Sequence, residues 1–397
     1  MNDLQIKRGM NIMAADGKRT DGVLRDARNV LVDDAGEVVS RPTYGTLLDG
    51  RQFIALRTNN DRLYAATTSE LWVFDDATPH KLADIEAVAR AGFVRAPDGL
   101  ILATDSGYWM IAPDNTVRRI DLPKRPPPVL RPIDGNLLPG VYKIAVAVVD
   151  STGVEGPMSL VCNIALPQGG GISVTSYGNV RVYMSHANGS ELWHVADCAG
   201  VVDLRTADYG HAAIAAFEDR MPPAEFAVCF EGRLWVLAGN ALYFSQPYRY
   251  GVMDAVNGFI QIPGRGNGLA ALDTGLFIGT TTGAYLLTSS DMATAELRHV
   301  HPLPVVRRSM ATFEGAMLRG AIDNPPQKLV ACWFTSKGHV VGLPDGSTHM
   351  LSPDQVMLAP DAGVSSELSF EGENYVVTFL STPAPYADQC VFTKPRS

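Results

Sequence analysis

Pairs of short apolar runs, separated by a few small polar residues, recur along most of the chain. An uninterrupted apolar run predicts a strand buried on both faces, and Ser, Thr, Gly and Asn between two runs predict a tight turn. Each pair therefore predicts an antiparallel hairpin. The five pairs are Arg62–Ala66 with Leu71–Phe74, Gly99–Ala103 with Tyr108–Ile111, Arg233–Leu237 with Ala241–Phe244, Gly275–Gly279 with Ala284–Leu287, and Leu329–Phe334 with His339–Gly342; a further strand is predicted at Asn374–Phe379.

The spacing of these hairpins indicates how they are arranged. Leu63 and Leu100 are 37 positions apart, and Leu234 and Leu276 are 42 apart. A repeat of about 40 to 50 residues, with about four strands in each copy, is typical of β-propeller blades. The chain is therefore predicted to be all-β, a β-propeller of five to seven blades.

One interval is too long for a single blade. Leu100 and Leu234 are 134 positions apart, which leaves roughly 90 residues for an additional module, the size of a small β-sandwich. The proline-rich stretch Lys124–Pro128 predicts a stiff linker at its start. We predict a fibronectin-like β-sandwich inserted into the propeller. The predicted domains are an N-terminal arm (1–26), the first part of the propeller (27–121), the inserted sandwich (122–209) and the second part of the propeller (210–397).

Two connecting segments carry predictions of their own. Arg28–Arg41 predicts a hairpin, and a strand from it would complete the last blade and remove an open sheet edge. Ala212–Met221 predicts a short amphipathic helix that leads from the inserted module back to the propeller.

Composition and charge exclude several classes of protein. The net charge of −9 argues against a protein that coats nucleic acid. Neither a membrane-spanning apolar run nor a secretory leader is evident in the sequence. The five cysteines are far apart and form no CxxC pair, so we expect reduced thiols and assembly in a cytoplasm, without membrane insertion.

The search for catalytic motifs is largely negative. The sequence has neither a GxSxG elbow nor a phosphate-binding Walker loop, and the glycines of Gly264–Gly268 predict a loop between blades. His299 and His301 could present two imidazoles on one strand face, although no Cys, Asp or Glu follows closely, which favours a solvated face. We expect no enzymatic activity, no metal and no cofactor. A pair of glycosidase carboxylates stays open, because such residues meet only in space.

The N-terminal arm is basic on an otherwise acidic chain. Lys7, Arg8, Lys18 and Arg19 are the predicted contact residues, either with a neighbouring subunit or with phosphate. The competing interpretation is a solvated arm.

Four segments, taken in order, resemble one family. Asn29–Thr43 follows the pattern N-V-x-x-D-x-x-G-x-x-x-x-R-P-G, with Thr43 at the last glycine. Tyr243–Pro247 follows Y-x-S-x-P, and Thr335–Ser352 follows T-x-x-G-x-V-x-G…D-G-x-x-x-x-L-T with Ser352 at its end. Gly140–Pro157 contains G-x-Y-x-x-A-V and D-x-x-G-x-E-G-P. The chain thus resembles the tail-hub, or nozzle, propellers of bacteriophages, which are related to the packaged-DNA-stabilisation proteins of short-tailed phages.

The resemblance implies a structural protein of the virion tail, assembled in the host cytoplasm. Such proteins form a ring, usually of six copies, below the portal and adaptor proteins. They extend the DNA conduit, retain the packaged genome and dock the tail needle or fibres. Double-stranded DNA would pass through the lumen without sequence-specific binding, and an acidic wall suits this, because each neutralised phosphate strengthens the hold on DNA.

Two alternatives remain at the level of sequence. Propellers also serve as enzymes or lectins that act on surface glycans, and fold alone does not decide between these functions. A cytoplasmic interaction propeller is the other alternative, although the sequence has no WD or Kelch signature.

Overall fold

The computed structural model describes residues 30–32, 38–40, 51–75, 78–213, 217–318, 326–351, 360–370, 373–381 and 389–393. In this part of the chain the secondary structure is β-strand, apart from one 3-10 turn at Gly315–Leu318. The predicted all-β class is confirmed. The basic arm residues Lys7, Arg8, Lys18 and Arg19 lie outside the described residues.

The first described strands form the hairpin that the sequence predicts near residue 35. Strand β1 (Val30–Val32) pairs with β2 (Val38–Ser40) in antiparallel register. Among the described strands these two form a sheet of their own, so the predicted exchange of an N-terminal strand into the last blade is not found there.

Two four-stranded antiparallel sheets follow, each with its strands in sequence order. An apolar core, which includes Leu71, Phe93 and Trp109, packs between them. Blade A consists of β3 (Ala55–Asn59), β4 (Arg62–Ala66), β5 (Glu70–Asp75) and β6 (Thr78–Asp84). Blade B consists of β7 (Ala91–Ala96), β8 (Gly99–Thr104), β9 (Tyr108–Ile111) and β10 (Val117–Arg119).

The next six strands make up the inserted module. They are β11 (Val129–Leu137), β12 (Gly140–Val149), β13 (Glu155–Met158), β14 (Cys162–Leu166), β15 (Gly170–Met184) and β16 (Trp193–Leu204). Where the sequence predicts a sandwich, hydrogen bonds join all six strands into one sheet. The pairing of β15 with β16 shifts register between Thr175 and Asn179. A core that includes Tyr142, Val182 and Leu204 is buried within the module.

The segment after the insertion is a strand where the sequence predicts a helix. β17 (Glu218–Arg220) pairs with β21 (Val252–Asp254), and Ala212 forms a bridge with Trp193. The helix prediction is therefore wrong for the described part of Ala212–Met221. The segment is a strand because β21 supplies the backbone partners of Glu218–Arg220, and Glu218 is buried against Arg249, as described below.

Three further blade-like sheets and one shorter sheet complete the described chain. Blade C is β18 (Phe226–Phe230), β19 (Arg233–Ala238), β20 (Ala241–Phe244) and β22 (Phe259–Gln261). Blade D is β23 (Gly266–Leu272), β24 (Gly275–Thr280), β25 (Gly283–Leu287) and β26 (Leu297–His301). Blade E is β27 (Ala311–Glu314), β28 (Leu329–Thr335), β29 (Gly338–Gly342) and β30 (Thr348–Met350). The last sheet holds β31 (Ala362–Phe370), β32 (Glu373–Ser381) and β33 (Gln389–Thr393).

The five predicted hairpins are the second and third strands of blades A to E. These central strands carry the continuous apolar runs because they are buried on both faces; every residue of β9, β24 and β29 is buried. Four-stranded antiparallel sheets that recur in sequence order are the blades of a β-propeller, and this fold class is confirmed. The predicted domain boundaries remain predictions, although β11–β16 all lie within 122–209.

The chain divides into two compact units, which are described separately. One unit comprises Phe53–Ala238 and Leu242–Ile260, and it contains blades A and B and the inserted module. The other unit contains the described strands from Gly266 onward.

Candidate functional site

A buried carboxylate organises the end of blade B. Asp121 is fully buried, and its Oδ1 accepts hydrogen bonds from Arg119 Nε (2.9 Å) and from the backbone N–H of Tyr108 (3.1 Å). Its Oδ2 accepts one from Arg220 Nε (2.7 Å). Since Arg220 belongs to β17, this carboxylate links blade B to the strand that follows the insertion. The sequence offered no sign of this link, because the partners are about 100 positions apart.

Beside this link lies an open cavity of about 290 Å³, entirely within the first unit. Its rim includes the exposed residues Asp98, Gly153, His211 and Tyr248, and its buried apolar lining is Met110, Ile120, Tyr250 and Val252. Three arginines also line it: Arg118 from blade B, Arg181 from the inserted module and Arg249 from the loop after β20. Ligand pockets in proteins combine apolar walls with a few polar groups in this way, at volumes of about 300 Å³ and above.

Glu155 and its neighbours form one wall of the cavity. Glu155 Oε1 accepts hydrogen bonds from Arg181 Nη1 (2.5 Å) and from the Tyr183 hydroxyl (2.6 Å). The same hydroxyl lies 3.3 Å from His211 Nε2. Burial, and next the hydrogen bond to Glu155, raise the pKa of Tyr183, so this phenol stays protonated. The acidic side chain of this wall is thus already held by two donors.

Arg118 lies opposite Asp150 but makes no hydrogen bond to it. Their closest atoms, Nη1 and Oδ2, are 3.6 Å apart. The other oxygen of Asp150 accepts from the backbone N–H groups of Thr152 (2.8 Å) and Val154 (2.9 Å) within its own turn. Burial opposes ionisation of Asp150, but these hydrogen bonds and the charge of Arg118 outweigh it and lower the pKa. Arg118 Nη1 is buried and has no hydrogen-bond partner.

The third arginine is paired away from the cavity. Arg249 donates to both carboxylate oxygens of buried Glu218, with Nη2 3.3 Å from Oε2. Lys124 Nζ donates to the backbone carbonyl of Glu218 (2.7 Å). Burial raises the pKa of Glu218 in spite of the adjacent guanidinium. This pair fixes the loop that carries Tyr248 to Val252.

Close backbone contact sets the position of that loop. A Cβ added to Gly251 would lie 1.8 Å from the carbonyl oxygen of Ile120, so only glycine fits there. Tyr250 packs beside Cys229, and burial raises the pKa of that thiol to about 11. The cavity wall is therefore built by direct contact of the loop with blade B.

The two histidines singled out in the sequence do not share one environment. The pairing of β25 with β26 shifts register between Ala284 and Tyr285, so that His299 stacks on Tyr285 while His301 is buried against Trp333. The expected solvated face is thus wrong for His301, and burial lowers its pKa. Within the described residues, no three His, Cys, Asp or Glu side chains form a group able to hold a metal ion.

Other sequence expectations have mixed outcomes. Gly266 and Gly268 lie in β23 rather than in the predicted loop. Cys162, Cys198, Cys229 and Cys332 are free thiols. The described residues contain no helix with the length and apolar character that a membrane span requires. The arginine-lined cavity itself was missed by sequence reasoning.

Comparison with known proteins gives structural similarity only. No protein-family model matches the chain, and no curated protein matches it. Similar solved structures include BBS1N in complex with ARL6DN (TM-score 0.33, 12% identity, covering 89% of this chain and 97% of that one). Others are the Neurospora crassa Pan2 WD40 domain (0.33, 10%, 89% and 92%) and Kluyveromyces lactis Hsv2 (0.28, 8%, 87% and 98%). The fold assignment rests on the order of the sheets described above, which makes this chain an all-β protein with the blades of a β-propeller and an inserted β module.

Proposed function

We propose that this chain is a structural subunit of a phage tail, forming part of the DNA conduit below the portal and adaptor proteins. In this role it retains packaged DNA, docks a tail needle or fibre, and has no catalytic activity. The observation that carries the proposal is the order of modules along the chain: blades A and B, then the inserted module, then blades C to E.

The segments that carry the family resemblance lie on different modules of the chain. Tyr243–Pro247 spans the end of β20 in blade C, and Thr335–Gly342 spans the turn between β28 and β29 in blade E. Asp150–Pro157 covers the turn from β12 to β13 in the inserted module. The segments therefore fall on three separate sheets, and this supports the proposal.

Charge also supports a conduit rather than a DNA-binding protein. The chain carries 33 basic and 42 acidic residues. Attraction to duplex DNA grows with each phosphate that is neutralised, so an acidic lumen lets DNA slide during ejection. Lys7, Arg8, Lys18 and Arg19 are proposed to contact the neighbouring subunit in the ring.

Native mass spectrometry of the full chain tests this proposal. We expect a ring of about six copies, seen also by negative-stain electron microscopy as particles with a central channel. A variant with Lys7, Arg8, Lys18 and Arg19 all changed to alanine is expected to lose the ring while keeping the wild-type circular dichroism spectrum. Arg131→Ala is the matched control, since Arg131 is exposed on the inserted module.

A different result would contradict the proposal. A chain that stays monomeric at all concentrations and binds a defined surface glycan would favour the lectin or enzyme alternative. Purified portal and adaptor proteins of the same phage provide the second measurement, and absence of binding to both would argue against a place in the conduit.

A further inference from the structure

Two of the arginines that line the cavity each carry an N–H group without a hydrogen-bond partner. Arg118 Nη1 and Arg181 Nε are both buried and lack a hydrogen-bond partner. Their nearest carboxylate oxygens, on Asp150 and Asp197, are each 3.6 Å away, beyond hydrogen-bond distance. A buried donor on a charged group is costly to leave unpaired, and so such donors commonly face a ligand or ordered water.

From this arrangement we propose that the cavity is a binding site for a small organic anion that carries a carboxylate or phosphate group. Arg118 and Arg181 would hold the anionic group, because a guanidinium binds such groups through directed, charge-assisted hydrogen bonds. The buried side chains of Met110, Ile120 and Val252 would contact the apolar part of the ligand. This inference does not depend on the proposed function, since anion binding and ring formation are measured separately.

Among the arginines of the lining, Arg118 is the one left for an anionic ligand. Arg249 is held by Glu218 and Arg181 by Glu155, whereas Arg118 makes no hydrogen bond to Asp150, its nearest carboxylate. Glu155 already accepts from Arg181 and Tyr183, so it offers little to a cationic ligand. Asp98 is exposed at the rim.

The size and lining of the cavity set the class of ligand. A volume of about 290 Å³ lies at the small end of the range for ligand pockets, which suits a single ring or a short chain with one acidic group. A bare inorganic anion would leave the apolar part of the lining in contact with water. An organic anion buries that surface and is expected to bind more tightly.

Two features of the sequence lead to this site. Gly153 and Glu155 belong to the D-x-x-G-x-E-G-P segment, whose first residue, Asp150, faces Arg118. Gly251 allows the loop of Tyr248 to Val252 to contact blade B. The turn of the inserted module and this loop thus close the cavity from two sides.

Isothermal titration calorimetry of the full chain with three probes tests the proposal. The probes are phenyl phosphate, inorganic phosphate and the neutral benzyl alcohol, in a buffer without other oxyanions. We expect saturable binding of phenyl phosphate, weaker binding of inorganic phosphate and none of benzyl alcohol. Arg118→Gln removes the unpaired donors and should weaken phenyl phosphate binding by about 10- to 100-fold, the range for one charge-assisted hydrogen bond.

Two further variants keep the test decisive. Arg131→Gln removes an exposed arginine of the inserted module and should bind like the wild type. Arg118→Lys keeps the positive charge beside Asp150, and it serves in place of Arg118→Gln if that variant fails to fold; it should show a smaller loss of affinity. The proposal is overturned by absence of saturable binding up to about 10 mM phenyl phosphate, a range that includes even weak millimolar ligands, or by equal binding to the wild type and the Arg118 variants.

Discussion

At the scale of single residues, the ionised groups that matter most are those the fold buries. Asp121 is fully buried and is held by Arg119, by Arg220 and by the backbone of Tyr108. The arginines are only partly exposed, so neither is fully solvated if the carboxylate is lost. A buried charge with all of its partners in place is tolerated, while removal of one partner is expensive.

Asp121→Asn is therefore expected to lower the free energy of unfolding by about 3 kcal/mol, because two partly buried guanidinium groups lose their counter-charge. The midpoint of urea denaturation measures the effect. Asp203→Asn is the control, since the ion pair of Asp203 with Arg205 lies at the surface, and it should change stability by less than about 0.5 kcal/mol. Equal stability of the two variants would show that Asp121 is not a structural anchor.

His339 is the second buried group with a measurable consequence. It is fully buried in β29, its Nε2 lies 2.6 Å from the Thr378 hydroxyl, and its ring meets the edge of Phe334. Burial lowers the pKa of His339 to about 3. Below the ordinary histidine pKa of about 6.5, the unfolded chain therefore binds a proton that the folded chain does not.

Stability is expected to fall as the pH drops from about 6.5 toward about 3, by up to about 1.4 kcal/mol per pH unit from this residue alone. His339→Gln should flatten this part of the pH profile, as measured by thermal unfolding from pH 7 to pH 4. Thr378→Val is the control, since it removes the hydrogen-bond partner and should lower stability by a similar amount at every pH. A slope identical in the wild type and His339→Gln would contradict the expectation.

At the scale of the element, the central strands of a blade could be predicted and the outer strands could not. Strands β8, β9, β28 and β29 are buried along nearly their whole length, so their sequences are continuous apolar runs. Outer strands such as β3 and β6 have mixed burial, and their sequences are polar enough to be taken for loops. Burial on both faces leaves a clear signal, whereas partial burial at a sheet edge leaves a weak one.

Two buried tryptophans, each in the second strand of its blade, give a prediction at this scale. Trp235 in β19 and Trp333 in β28 are both fully buried, but Trp235 Nε1 donates to the carbonyl of Phe230 (3.2 Å) while Trp333 Nε1 has no partner. Trp235→Phe is expected to cost about 0.5–1.5 kcal/mol more than Trp333→Phe, because it removes a hydrogen bond that the Trp333 side chain does not make.

Chemical denaturation of the two phenylalanine variants, with Trp235→Ala as a reference, measures this difference. Trp235→Ala should cost about 3–5 kcal/mol through the cavity it leaves. If Trp333→Phe proved the more damaging of the two phenylalanine variants, packing rather than the hydrogen bond would dominate at both positions.

At the scale of the whole molecule, the inserted module has a sheet and a core of its own. Its six strands pair with one another, and a core including Tyr142, Val182 and Leu204 lies within it. The backbone N–H of Ala213 donates to the carbonyl of Leu192 (2.8 Å), so residues after 209 also contact the module.

Residues 122–213, expressed alone, are therefore expected to fold, with a cooperative thermal transition and dispersed amide signals by nuclear magnetic resonance. A module of this size buries enough apolar surface for a stable core. The shorter fragment 122–209 is the comparison and should unfold at a lower temperature. Lack of a cooperative transition in both fragments would show that the module depends on the blades.

The sequence by itself determined the all-β class, the five central hairpins and the presence of one insertion, because these follow from local patterns of burial and turn residues. Tertiary structure alone decided the partners of Asp121, the strand at Glu218–Arg220 and the cavity lined by Arg118 and Arg181. Each of these depends on contacts between distant segments, such as Asp121 and Arg220, which are 99 positions apart. A buried ion pair leaves no periodic trace in either of the segments it joins.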